Sequence, residues 1–285
     1  MMQEDISGIE EGESNVKSNN NSGGSSTTVF NAALITGASS GIGLELAKIF
    51  ARNGHNLVLV ARSENTLNEL KKKFEEEFDI KVKVIVQDLK YYNAPTAIYD
   101  AVKLADINVN ILVNNAGFGT YGKFSETDLE AELEMIQVNI TALTHLTKLF
   151  LKDMIENNNG RIMNVASTAA FQPGPLMAVY FATKAYVLSF SEALDEELHG
   201  TKIKVMALCP GPTKTNFQKN ANIEEGVGLF TKNIPDGRDV AEYAYNAMVK
   251  GKRVAIHGMT NRIKANGIRF VPRRIVTKVV RRIHE

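Results

Sequence analysis

The segment Tyr180-Phe181-Ala182-Thr183-Lys184 puts a phenol and an ammonium four residues apart, one turn from each other on one face of a helix. The pairing has a chemical use. A free tyrosine, with a pKa of about 10, is a poor acid-base catalyst at neutral pH, and a nearby positive charge favours its phenolate and pulls the pKa toward the working range. Far upstream, Thr36-Gly37-Ala38-Ser39-Ser40-Gly41-Ile42-Gly43 leads from an apolar run into a helical pattern. Gly37, Gly41 and Gly43 let the backbone turn tightly and approach a pyrophosphate, which the free N–H groups and dipole of a helix N-terminus favour. Each signal alone has a plainer reading: a tyrosine and lysine on a helix surface, or a tight turn serving another nucleotide, a methyl donor or nothing at all.

The elements that must position these residues follow from patterning. From about Val29, short β-rich runs alternate with helical segments, which predicts an α/β fold: a doubly wound, seven-stranded parallel sheet with helices on both faces. The strands are expected at 33–36, 56–61, 83–87, 111–114, 161–165, 204–208 and 253–256, and the helices at 42–53, 63–78, 94–104, 129–156, 179–198 and 238–249. Residues 1–27, rich in Ser, Asn, Gly and Glu, bury too little to offset their ordering entropy and are read as a disordered acidic tail. A main domain over 28–258 and a basic helical extension over 259–285 complete the division.

Further marks then appear in order: Asn114-Asn115-Ala116-Gly117 after the fourth strand, Asn139 in a long helix, Ser167 after the fifth strand, the Tyr180 and Lys184 pair, and Pro210-Gly211 after the sixth. With the spacing T-G-x-x-x-G-x-G, this series resembles the short-chain dehydrogenase/reductase family over roughly residues 30–256, a Rossmann-type fold. The basic extension containing Pro272-Arg273-Arg274 looks like the broad bacterial group labelled DltE-like. The resemblance implies an oxidoreductase that moves a hydride between nicotinamide and a carbonyl or alcohol carbon. A non-catalytic dinucleotide-binding regulator is the alternative; such a protein would commonly lose the Tyr and Lys, and both are kept here.

The roles follow from the resemblance. Tyr180 would exchange a proton with the substrate oxygen, Lys184 would hold the ribose hydroxyls and tune Tyr180, Ser167 would polarise the same oxygen, and Asn139 would hold a water in a proton relay. Gly37, Ser39, Ser40, Gly41, Ile42 and Gly43 would receive the cofactor phosphates. Asp88 would contact adenine, with Leu89 beside it; its plainer alternative is a helix N-cap or turn acid. Asn115, Ala116 and Gly117 would run along the adenosine ribose and brace the sheet, with a purely structural part preferred for Asn114. Pro210, Gly211, Thr213 and Thr215 would form the loop at the carboxamide. After the second strand, Ala61 and Arg62 stand where an NAD-preferring enzyme usually carries an acid. A guanidinium there can bind a 2′-phosphate, so NADP(H) is favoured over the plain reading of a surface arginine.

Substrate contacts are expected from loops at the C-terminal ends of the strands, with Phe118, Phe171 and Met177 as candidates, Thr120, Tyr121, Pro173 and Leu176 nearby, and 217–234 closing over the top. These side chains are largely apolar and suit a lipophilic carbonyl compound. The five histidines are scattered without ligand spacing, so no metal is expected. The 33 basic and 32 acidic residues nearly cancel, which gives no field for nucleic acid. A lone Cys209, read as a small core residue, and the lack of a long apolar stretch point to a reducing cytoplasm. Homodimers or homotetramers are expected through helices 129–156 and 179–198. Between 251 and 285 the chain carries ten Lys or Arg against the single acid Glu285. Within that stretch Ile275, Val276, Val279, Val280 and Ile283 recur at helical spacing. Such a helix could lie on an anionic membrane; packing on its own subunit is preferred, since five aliphatic residues with no aromatic anchor make a modest interfacial helix.

Overall fold

A computed structural model describes residues 30–221 and 234–284. The tail at 1–27 and most of the segment 217–234 lie outside the described residues. Seven strands, β1 (Phe30–Thr36), β2 (Asn56–Ala61), β3 (Val82–Val86), β4 (Ile107–Asn114), β5 (Gly160–Val165), β6 (Ile203–Cys209) and β7 (Val254–Ile256), form one parallel sheet in the order β3-β2-β1-β4-β5-β6-β7. This is the doubly wound Rossmann-type arrangement. Central strands such as β1 and β2 read as nearly continuous apolar runs because both faces are covered, and Leu34, Ile35, Leu57, Val58 and Leu59 are fully buried.

One face is covered by α1 (Gly41–Arg52), α2 (Glu64–Glu77) and α8 (Gly237–Val249), whose Phe50, Leu67, Phe74 and Ala244 pack on the sheet. In α2 the charged runs at 71–73 and 75–77 lie on the outer face, while Leu67 and Phe74 are buried. The other face carries α3 (Ala94–Leu104), the long helical stretch 129–156 and α6 (Ala178–Glu197), with Ile98, Val102, Leu146 and Phe150 in the core.

The stretch expected as one helix is continuous in path but not in geometry. It divides into α4 (Leu129–Ile136), a π-helical turn at Gln137–Ala142 and α5 (Leu143–Glu156). Asp128 caps α4 by accepting the Ala131 N–H at 2.8 Å. The remaining helices are the short α7 (Phe217–Asn220), then α9 (Met259–Gly267) and α10 (Arg273–His284). The basic extension does not stand apart: Ala265 of α9 joins a core cluster with Ile256 and Cys209, and Val276 and Val280 of α10 join one with Met177 and Phe181. No described helix is long and apolar enough to cross a membrane.

Candidate active site

The order of the strands reverses between β1 and β4, and the C-terminal ends of the central strands open onto a cleft of about 790 Å³. That position is where open α/β sheets bind ligands, and the volume falls in the range of small-molecule and cofactor sites. The cleft runs from Arg62 and Asp88 at one end, past Gly37 to Ile42, to Ser167, Tyr180 and Lys184 at the other.

The glycine turn is built for close approach. Gly37 and Gly41 have φ of +65° and +55°, which a side chain would strain. At Gly43 a Cβ would lie 2.3 Å from the Gly37 carbonyl oxygen and 2.4 Å from Asn115 Nδ2, so only glycine lets α1 begin this close to β1. Ser40 is the N-cap of α1 with no side-chain capping bond, and Ser39, Ser40, Gly41 and Ile42 line the cleft. Asn115 holds the turn: its Nδ2 donates to the Thr36 and Gly37 carbonyls at 2.9 and 3.3 Å, while Thr36 Oγ1 accepts from the Asn115 and Ala116 amides at 3.0 Å each. Thr36, the first residue of the glycine motif, therefore ties β1 to the end of β4. Asn114 faces the interior and donates to Thr147 Oγ1 and Asn164 Oδ1, a structural part.

At the far end Arg62 is exposed and its Nη1 lies 3.9 Å from Asp88 Oδ2. Asp88 also accepts the Lys90 N–H at 3.1 Å, so the turn-acid reading and a place in the cleft hold together. Leu89 is buried against the core and contributes to the same wall.

At the other end, side chains from α6, the end of β5 and the π-helical turn come together. Lys184 is buried on α6 and its Nζ donates to the Val165 carbonyl at 2.9 Å, with the ammonium 5.8 Å from the Tyr180 ring centre. Ser167 follows β5, accepts the Ala169 N–H at 3.1 Å and donates to the Pro210 carbonyl at 3.5 Å, and its hydroxyl lowers the Tyr180 phenol pKa. Asn139 sits in the π-helical turn, where its Oδ1 accepts the Phe118 N–H at 3.1 Å and its Nδ2 donates to the Phe118 carbonyl at 2.9 Å and to Thr183 Oγ1 at 3.1 Å. Thr183 in turn donates to the Tyr180 carbonyl at 2.7 Å. A Cβ on Gly117 would come within 2.9 Å of Asn139 Oδ1 and 3.4 Å of Lys184 Nζ, so Gly117 keeps the amide and the ammonium near each other. Pro210, Gly211, Thr213 and Thr215 line the cleft after β6.

Burial pushes the Tyr180 phenol up to about 12, with the Ser167 hydroxyl opposing it. Burial lowers Lys184 itself to about 8, partly offset by Cys209. Near neutral pH the phenol therefore keeps its proton and the lysine its charge, the state of a proton donor. The Cys209 thiol is pushed up to about 12 mainly by burial, and its side chain belongs to the core.

Phe118 and Met177 line the cleft, and Phe171 does not. The short 3-10 turn Thr168–Phe171 carries Phe171 onto the cluster of Ala166, Val187, Leu188 and Cys209 instead. Thr120 and Tyr121 are likewise drawn off, donating to Glu132 Oε1 and to the His284 carbonyl. The sequence reading missed Gly119, where a Cβ would lie 3.0 Å from both Tyr180 Cδ2 and Phe217 Cζ, and Phe181 and Gln172 in the cleft wall. Only Gly119 carried a signal, as a second glycine beside the Asn-Ala-Gly turn.

Known proteins share this fold. The family model for short chain dehydrogenases matches residues 31–226. An uncharacterised oxidoreductase of Staphylococcus epidermidis is 33% identical over 204 residues, covering 72% of this chain and 87% of that protein. Among solved structures, a short-chain dehydrogenase from Sphingobium yanoikuyae in complex with NADPH is 32% identical with a TM-score of 0.76, covering 85% of this chain and 94% of that one. A short-chain dehydrogenase/reductase from Burkholderia phymatum in complex with NAD is 25% identical with a TM-score of 0.73, covering 85% and 95%. The chain belongs to the short-chain dehydrogenase family of oxidoreductases.

Proposed function

We propose that this chain is an NADP(H)-dependent reductase of apolar carbonyl compounds. The observation that carries the reading is the meeting of Ser167, Tyr180 and Lys184 at the apolar end of a cleft whose other end holds the glycine turn and Arg62. The residues fit a dinucleotide: the turn exposes helix N-terminal N–H groups where a Cβ would block approach, and Arg62 supplies an exposed cation for a 2′-phosphate. Ser39, Ser40, Gly41, Ile42 and Gly43 would hold the phosphates, Asp88 and Leu89 the adenine end, Asn115 to Gly117 the ribose side, and Pro210, Gly211, Thr213 and Thr215 the nicotinamide. When bound, that cofactor supplies the hydride.

The chain's own residues do the rest. Ser167 donates to the carbonyl oxygen and fixes its place, which polarises the bond. Tyr180, protonated at neutral pH by virtue of its burial, gives the proton that the reduced oxygen needs. Lys184 holds positive charge beside the phenolate left behind, and its reach from Val165 allows contact with ribose hydroxyls. Asn139, locked by its three hydrogen bonds, keeps the π-helical turn open at the place where a water would relay the returning proton to Lys184. Met177, Phe118, Phe181 and Phe217 exclude water from the reacting end.

The exposed Leu129, Leu133 and Ile136 of α4 and Tyr186 of α6 support assembly into a homo-oligomer across those helices. The reaction is tested by following NADPH oxidation by the purified protein over a panel of ketones and aldehydes graded from sugars to bulky apolar compounds. Turnover confined to apolar carbonyls is the expected result. Turnover of none, with cofactor binding intact, would overturn the reading.

A further inference from the structure

The five aliphatic residues of α10 divide into two rows. Val276 and Val280 are buried, together with His284, whose Nδ1 donates to the Pro175 carbonyl at 2.6 Å and whose ring lies 5.4 Å from Phe181. These contacts fix the helix beside Met177 and Phe181, both walls of the cleft. Ile275, Val279 and Ile283 form the second row, four residues apart, and stay exposed by 53%, 48% and 39%. Among the described residues, packing on the protein's own body thus uses only one of the two apolar stripes.

Two further features sit with the uncovered row. Phe270, in the turn before α10, is 88% exposed, an aromatic side chain of the kind that anchors in a bilayer interface. Arg274, Lys278 and Arg282 make the row next to Ile275, Val279 and Ile283, and all six side chains are exposed. Their long stems can follow apolar surface while the charges stay at headgroup level. From Met259 to His284 the chain carries eight Lys or Arg and no acid. A second copy of the same face would meet this charge with equal charge, whereas nucleic acid would leave the apolar row and Phe270 without a partner. An anionic lipid surface complements both features.

We propose that α10 and the turn before it seat the protein on anionic membranes, with Phe270, Ile275, Val279 and Ile283 in the interface and the basic row against lipid headgroups. The proposal is independent of the reaction assigned above. It places the mouth of the cleft next to lipid, since the same helix packs on Met177 and Phe181. Each cation near a charged bilayer raises binding about fivefold, so neutralising three costs roughly a hundredfold.

Co-sedimentation of the full chain with phosphatidylcholine vesicles, and with vesicles that also contain phosphatidylserine, tests this at low and high salt. The expected result is binding to the anionic vesicles at low salt that weakens with salt. Neutralising Arg274, Lys278 and Arg282 to Gln should weaken it by roughly a hundredfold, and changing Ile275, Val279 and Ile283 to Ser by roughly tenfold or more. Since the changed side chains are exposed, both variants should keep the wild-type melting temperature and NADPH affinity. Equal binding to neutral vesicles, no binding to anionic vesicles at low salt, or undiminished binding by the Ser variant would each overturn the proposal. So would a Ser variant that loses self-association while still sedimenting with vesicles, because the row would then be an interface between copies of the chain.

Discussion

Replacing Lys184 by Met should stabilise the protein at neutral pH, and the gain should shrink as pH rises. Burial holds the folded-state lysine near 8, against an ordinary value of 10.5. Folding at pH 7 therefore carries a cost of about 3 kcal/mol for keeping that ammonium out of water. The folded value is the lower one, so between about pH 8 and 10.5 the unfolded chain binds more protons, and stability rises with pH through that window. By pH 10 most of the cost is gone, and the wild type should have recovered roughly 2 to 3 kcal/mol relative to the Met variant. Loss of the Val165 hydrogen bond adds an offset to the variant, but the change of the difference with pH is set by the ammonium. Tyr180, pushed up to about 12, contributes only above its ordinary 10, and Cys209 is common to both proteins and cancels to first order. Urea unfolding of both proteins at several pH values from 7 to 10 gives the difference directly. A difference that stays constant within about 0.5 kcal/mol across that range would refute the buried, charged lysine.

Three shorter predictions follow from the other parts of the cleft. Arg62→Ala should weaken NADPH by one to two decades and NADH hardly at all, from the roughly 1.5 to 3 kcal/mol of a charge-assisted contact; titration of both cofactors decides, and equal losses would mean that Arg62 does not read the phosphate. Gly43→Ala, which in an ordinary helix would stabilise by about 1 kcal/mol, should instead destabilise by roughly 1 to 3 kcal/mol, because the new Cβ meets the Gly37 carbonyl oxygen at 2.3 Å; a higher melting temperature would contradict the packing described. Light scattering at micromolar concentration should give a homo-oligomer that Leu133→Glu dissociates, and a monomeric wild type would remove the interface assigned to α4 and α6.

The α/β order was legible because burial on both faces forces strands such as β1 and β2 into continuous apolar runs, whereas α1 and α3 keep one apolar stripe. The glycine turn was legible for a related reason, since Gly37, Gly41 and Gly43 each answer a backbone demand that no other residue meets. Four things were not. The π-helical turn at Gln137–Ala142 leaves no mark in the sequence, because its residues, Gln, Val, Asn, Ile, Thr and Ala, include no Gly or Pro to signal a break in the helix. Phe171 was expected at the substrate because it lies between Ser167 and Tyr180; a 3-10 turn sends it to the core, and nothing in its neighbours distinguishes the two paths. The burial of Tyr180 and Lys184 was hidden as well, because spacing says that two groups are near but not that both are out of water. In α10 the apolar residues were visible and their division into a buried and an uncovered row was not, because Val276 and Ile275 look alike until Met177 and Phe181 are placed.

The central claim is that a hydride passes between nicotinamide and a carbonyl carbon while Tyr180 supplies the proton. It is tested most directly by running the reaction with NADPH deuterated at nicotinamide C4, for wild type and Tyr180→Phe, on an apolar ketone that the wild type reduces. Deuterium is expected on the carbinol carbon of the wild-type product. In the variant the rate should fall by roughly a thousandfold or more with NADPH affinity unchanged, since only the phenolic proton is removed. Product without deuterium from either cofactor face, or a Tyr180→Phe protein that turns over at a comparable rate, would contradict it.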